Sequence, residues 1–177
     1  MTLKVGFAGA GGIASVHLKN MRENKHVNIA AISDIVKEQA ERVAAEYGAA
    51  AYTDVNEMLE SEKLDILFIC VPPFAHGDIE ERAAAKGIHL FVEKPLGLDM
   101  DTVRAKAKHI RESGVLAASG YCLRYLNTAA FARQYLQDKE IGMVRAHYLT
   151  SFVGTPWWRV MEKSGGQLVE QATHTVD

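Results

Sequence analysis

From its N-terminus the chain alternates short apolar runs with longer stretches in which apolar and polar residues mix at helical spacing. Leu3-Lys4-Val5-Gly6-Phe7-Ala8 is the first run, and it breaks into Gly9-Ala10-Gly11-Gly12-Ile13-Ala14 before a helix-like stretch from Ser15 to Met21. Val27 to Ser33 reads as a second strand, and Val36 to Tyr47 as a helix closed by Gly48. Ala49 to Tyr52 suits a short strand, after which Thr53-Asp54 caps a short helix. Leu64 to Val71 is almost continuously apolar, the pattern of a strand covered on both faces of a parallel sheet, and it stops at Pro72-Pro73. A helix from Gly77 to Lys86, with Gly87 after it, leads to a strand from Ile88 to Val92. Asp99 to Ser113 reads as a long helix and Val115 to Gly120 as a sixth strand. Strand–helix alternation up to this point predicts an α/β fold with a doubly wound, mostly parallel sheet over residues 1–120.

The pattern then changes, and a change of domain is expected near residues 119–125. Thr128 to Lys139 reads as a helix. Met143 to Val153 alternates apolar and polar residues for part of its length, which suits a half-exposed strand. Gly165-Gly166 turns into a helix that reaches Asp177.

Strand, glycine turn and helix are the context a dinucleotide fingerprint needs. Gly9 allows the tight turn, Gly11 lets the backbone approach a pyrophosphate, and Ala14 fits where helix packs closely on strand. The N–H groups of the new helix then face the phosphates. A tight glycine turn in some other α/β protein is the alternative. Asp34 closes the second strand 20 residues beyond Ala14, where a ribose-binding acid belongs. A carboxylate there accepts from the ribose 2′-OH and repels a 2′-phosphate, so NAD is expected over NADP. As a bland alternative, Asp34 caps the helix that follows.

Two further strand ends carry chemistry. Val71-Pro72-Pro73-Phe74-Ala75-His76 sits at the carboxyl end of a central strand, where ligands bind in open α/β sheets. His76 suits the nicotinamide ribose or, more blandly, a helix start. Glu93-Lys94-Pro95 ends the next strand on the same edge. Lys94 can hold a substrate hydroxyl and stabilise negative charge on oxygen, and a rim salt bridge is the alternative. The Lys94–Pro95 bond is a candidate cis peptide.

Near the end of the chain, Trp157-Trp158-Arg159 suits a sugar or polyol ligand or an interface in equal measure. Glu170, His174 and Asp177 fall on one face of the last helix. A histidine beside a carboxylate can act as a general acid/base. A solvated face, a core histidine and one side of a metal site are the competing readings, and the last is set aside for want of a second ligand cluster.

Composition narrows the function. A hydrophobic share of 48% supports a core, and a net charge of −2 with no basic block argues against bulk nucleic-acid binding. No apolar run approaches a membrane span, and the N-terminus enters the first strand with no signal-peptide pattern. Cys70 and Cys122 lack motif spacing, so reduced thiols and a cytoplasmic setting are expected.

The motifs together resemble the glucose–fructose oxidoreductase and myo-inositol dehydrogenase family. Gly9 to Ala14, Asp34, Pro72 to His76, Glu93-Lys94-Pro95, Arg124, Gly165-Gly166 and Glu170…His174…Asp177 stand in that family's order. The resemblance implies a Rossmann domain over residues 1–120. Residues 121–177 would be the start of an α/β substrate and oligomerisation domain, present here only in its opening pieces. It implies an NAD(P)-dependent dehydrogenase of a sugar, polyol or inositol hydroxyl, homo-oligomeric, with a non-catalytic NAD- or sugar-sensing protein as the alternative. Gly9, Gly11, Gly12, Ile13, Ala14, Asp34, Val71, Pro72, Pro73, His76, Glu93, Lys94 and Arg124 would line the cofactor. Lys94 would hold the reacting oxygen, and His174 would take the hydroxyl proton. Glu170 stands where many members carry Asp and joins Lys94 and His174 as a candidate catalytic residue. Trp158, Arg159 and Asp177 join Lys94, Glu170 and His174 as candidate substrate contacts.

Overall fold

The computed structural model describes residues 2–177. They form two compact units, one ending at Ser119 and the other spanning Gly120–Asp177.

The first unit is a six-stranded parallel sheet. Its strands are β1 (Leu3–Ala8), β2 (Val27–Ser33), β3 (Ala50–Tyr52), β4 (Ile66–Ile69), β5 (His89–Val92) and β6 (Ala117–Ser119), in the order β3-β2-β1-β4-β5-β6. The crossovers are α1 (Gly12–Met21), α2 (Lys37–Tyr47), α3 (Val55–Ser61), α4 (Ile79–Ala85) and α5 (Met100–Ser113). This is the Rossmann order, with its switch point between β1 and β4. Side chains and left-handed glycines close the helix ends. Asp54 and Asp99 accept the N–H groups of Asn56 and Thr102, and Gly48 and Gly114 end α2 and α5 in the left-handed region at φ 66° and 73°.

The sheet is buried on both faces. Val5, Phe7, Ile29 and Ile32 meet Ala14 and Leu18 of α1 and Val43 of α2, whereas Ala8, Ala31, Leu67 and Ile69 meet Met58 of α3 and Ile79 and Ala83 of α4. A register shift between Val5 and Gly6 gives β2 one extra residue against β1, so Ile29 and Ile32 share a face although an odd number separates them. Phe7, Phe68 and Phe91 are direct partners across β1, β4 and β5 and stack at 5.0 and 4.7 Å between centroids. The ladders run on past the strand ends: Gly9 N–H reaches Ser33 O, Cys70 N–H reaches Ala8 O, and Glu93 N–H reaches Ile69 O. That continuation sets Gly9, Asp34, Cys70 and Glu93 along one carboxyl edge.

The second unit contains α6 (Asn127–Leu136), α7 (Met161–Ser164), a π-helical stretch Leu168–Ala172 and α8 (Thr173–Val176), with single 3-10 turns at Cys122–Tyr125 and Pro156–Arg159. The strand expected over Met143 to Val153 is not formed; these residues run irregular and almost wholly exposed. Alternation makes a segment competent for pairing, but a strand needs a neighbour to take its N–H and C=O groups, and no described residue does so. The last helix forms as expected, with i→i+5 bonding through Leu168–Ala172 in place of a uniform α-turn.

Candidate functional site

At the carboxyl edge of β1, Gly9 adopts φ +94°, and a Cβ there would lie 2.7 Å from Cys70 O. This glycine is required by the fold itself. Gly11 and Gly12 differ, since a Cβ on either meets nothing within 4 Å. The chain thus keeps two glycines where its own packing has room for side chains. Gly11 is the N-cap of α1, with no side chain capping it and no acid in the first turn. The N–H groups of Gly12, Ile13 and Ala14 precede the first intrahelical bond, Ser15 N–H to Gly11 O. An uncapped helix start behind bare glycine backbone fits a pyrophosphate. Ala14 is fully buried against the sheet, as its place in the fingerprint requires, and Ile13 is exposed.

The loop is gripped from β2 and α2. Asp34 Oδ2 accepts Ala10 N–H at 2.9 Å, and Gln39 Nε2 donates to Ala10 O at 2.7 Å, so one peptide unit on either side of Ala10 is held by side chains. Asp34 Oδ1 accepts Val36 N–H. Asp34 is therefore the start of an Asx turn, and Val36, not Asp34, is the N-cap of α2.

Beyond β4, Val71 and Pro72 are half-buried, Pro73 is buried, and Pro73–Ala75 form a 3-10 turn ending at His76. His76 is buried, with Nδ1 2.6 Å from Glu80 Oε1. Burial, helped by the charge of Glu93, pushes the Cys70 thiol far above its ordinary range.

Beyond β5, Glu93 is buried and bridges two elements. Its Oε1 lies 2.7 Å from His17 Nε2 of α1, and its Oε2 accepts the backbone N–H of Lys94 at 3.1 Å. His17 lies against Phe68 and Phe91 at 5.3 and 5.0 Å. The aromatic ladder thus seats a histidine that holds the glutamate beside Lys94. The Lys94–Pro95 bond is cis.

In the second unit, Arg124 donates from Nε and Nη2 to both oxygens of Asp177 at 2.6 Å, a bidentate pair that holds the Asp177 carboxyl below its ordinary range. Half-buried His174 lies between the rings of Tyr121 and Tyr148, at 6.2 and 6.5 Å, and Tyr121 Oη is 3.1 Å from Thr173 Oγ1. Glu170 is buried in the wall of a cavity of about 290 Å³ that Trp158, Arg159, Phe152 and Gln171 also line. The Arg159 guanidinium lies 5.0 Å over the Phe152 ring. Buried Ser164 builds the Gly165-Gly166 turn, donating to Val160 O and accepting Gly166 N–H. Gly165 has φ +71° with Val169 packed where its Cβ would stand.

His17, Gln39 and Ser164 are not evident in the sequence reading. A serine before Gly-Gly is a recognisable turn signal. Nothing local marks His17 or Gln39, whose partners lie 76 and 29 residues away.

Residues 3–121 match the family described as an oxidoreductase family with an NAD-binding Rossmann fold. The chain is 30% identical over 178 residues to inositol 2-dehydrogenase of Rhizobium meliloti (strain 1021), covering 100% of this chain and 54% of that protein. It is 30% identical over 174 residues to scyllo-inositol 2-dehydrogenase (NAD(+)) of Bacillus subtilis (strain 168), covering 96% and 50%. Among solved structures, GenD2 from gentamicin A biosynthesis, in complex with NAD, superposes with a TM-score of 0.88 at 27% identity, over 99% of this chain and 52% of that one. The chain spans about half the length of the relatives it matches.

Proposed function

This chain belongs to the GFO_IDH_MocA oxidoreductase family, and from that premise we propose that it is the cofactor-binding part of an NAD-dependent dehydrogenase acting on a hydroxyl of a sugar, polyol or inositol. The observation that carries the reading is the loop: a Cβ on Gly11 or Gly12 would meet nothing within 4 Å, in front of an uncapped helix, with Asp34 holding Ala10 behind them. The two inositol dehydrogenases named above are dehydrogenases by name, and nothing favours the sensor alternative.

NAD, when bound, supplies the hydride acceptor at nicotinamide C4. The N–H groups of Gly12 to Ala14 bind its pyrophosphate, and Asp34 accepts from the adenosine ribose hydroxyls while its charge disfavours a 2′-phosphate. Val71, Pro72, Pro73 and His76 border the nicotinamide half. Lys94, set by Glu93 and His17, holds the substrate oxygen and stabilises the negative charge that grows on it. His174 takes the hydroxyl proton. Trp158, Arg159 and Glu170 contact the polyol, with Glu170 keeping the acid function at greater reach than Asp. Arg124 acts through Asp177, which it holds in both oxygens. A cytoplasmic homo-oligomer that binds neither nucleic acid nor membrane completes the reading.

The test is NAD reduction by the protein with a panel of inositols, sugars and polyols, run beside Lys94→Ala. Turnover should fall by at least about 100-fold in the variant while NADH still binds. Unchanged turnover in Lys94→Ala, or bound NADH with no substrate in the panel oxidised, would contradict the proposal.

A further inference from the structure

A cluster of charge is buried where α4 packs on α5. Glu80, in the first turn of α4, is 2% exposed; His76, just before that helix, is 3% exposed; and Lys106, in α5, is 7% exposed. Lys106 Nζ donates to Glu80 Oε2 at 2.7 Å, to Glu81 Oε2 at 3.1 Å and to Gly77 O at 2.6 Å, so its three protons meet three acceptors. Glu80 Oε1 lies 2.6 Å from His76 Nδ1. Burial alone would raise the Glu80 carboxyl, but the hydrogen bonds from His76 and Lys106 and the charge of Lys106 outweigh it and leave the group below its ordinary range.

The proton on His76 follows. An ionised carboxylate can only accept, so Nδ1 carries the hydrogen, and in the neutral ring Nε2 carries the lone pair. A Glu80–Lys106 pair by itself would suffice to tie α4 to α5. The third member does more, because it defines which nitrogen of a histidine at the carboxyl edge of β4 is the acceptor. The 3-10 turn Pro73–Ala75 runs directly into this histidine, and Ile79 N–H holds His76 O at 3.1 Å.

We propose that Glu80 and Lys106 are positioning residues that lock His76 with its proton on Nδ1, so that Nε2 accepts a hydrogen bond from a donor in the nicotinamide–ribose half of the cofactor. This rests on the dinucleotide reading above. The donor is a ribose hydroxyl or the carboxamide N–H. His76 follows β4, two strands across the sheet from β2 and Asp34, where the adenosine ribose is assigned above, which gives the proposal a signature that a packing role lacks.

The experiment reads the ring nitrogens of histidine-labelled protein in long-range proton–nitrogen correlation spectra at neutral pH, with His76→Gln to assign the signals. The wild type should show the Nδ1–H form, and NADH should move the Nε2 signal where ADP does not. Glu80→Gln offers Nδ1 either an amide donor or a carbonyl. It should therefore mix the two tautomers and weaken NADH about tenfold while ADP holds within about twofold. Glu80→Gln with Lys106→Met removes both buried charges together and should behave alike, which keeps the test sound if the single variant folds poorly. A proton on Nε2 in the wild type, a His76 signal indifferent to NADH, or equal losses for NADH and ADP would overturn the proposal. Failure of the wild type to bind NADH at all would remove the dinucleotide reading and the acceptor role with it, while the spectrum would still report the tautomer lock.

Discussion

Asp34 Oδ2 accepts the backbone N–H of Ala10 at 2.9 Å, tying the acid at the end of β2 to the glycine loop at the end of β1. The carboxylate proposed to choose between cofactors therefore also shapes the glycine loop. Asp34→Ala should weaken NADH by about tenfold or more and NADPH by less, narrowing their ratio. Asp34→Asn keeps an acceptor for Ala10 and should narrow the ratio with a smaller loss of NADH affinity. Fluorescence titrations with both cofactors measure this, and an unchanged ratio would leave Asp34 as a turn residue alone.

Gly9 and Gly11 should part company on substitution. Gly9→Ala forces a side chain into the left-handed region and against Cys70 O, so it should cost about 2–4 kcal/mol of stability in urea unfolding. Gly11→Ala meets no protein atom and should leave the midpoint nearly unmoved, while NADH weakens about tenfold or more. A Gly11→Ala variant with full NADH affinity would place the pyrophosphate elsewhere.

Acid should expose the contribution of Glu80. Its carboxyl is lower in the folded chain than in the unfolded one, so the unfolded state takes up the proton more readily. The stabilisation is complete above the ordinary glutamate range and is lost as pH falls through the lower folded value. Urea midpoints should drop as pH falls below about 5 in the wild type, and less steeply in Glu80→Gln. Parallel slopes would show that Glu80 does not govern this loss.

The two thiols should react unequally. Cys70 is buried and its thiol is pushed up, whereas Cys122 is exposed. Iodoacetamide should label Cys122 alone in the native protein and both in denaturant, as mass spectrometry of the peptides reads. Labelling of native Cys70 would mean that the end of β4 opens readily.

Much of the first unit is legible because its signals are local. The end of β2 before Asp34, the cap Asp54 and the left-handed Gly48 each follow from a few neighbouring residues. What cannot be read locally is made by distant partners. Glu80 and Lys106 look like solvated charges on two helix faces, and only the packing of α4 on α5, 26 residues apart at these positions, buries them together. His17 likewise gains its role from Glu93 and from the aromatic ladder beneath it. Met143 to Val153 fails for the converse reason: its alternation is visible, but pairing depends on a neighbouring strand that the described residues do not supply.

The central claim is that the Gly9–Ala14 loop and Asp34 bind NAD. Titrating the chain with NADH, with NADPH alongside, and following nicotinamide fluorescence tests it most directly. Saturable binding with NADH the tighter ligand is the predicted result. No binding to either cofactor by protein whose circular dichroism shows it folded, or tighter binding of NADPH, would contradict it.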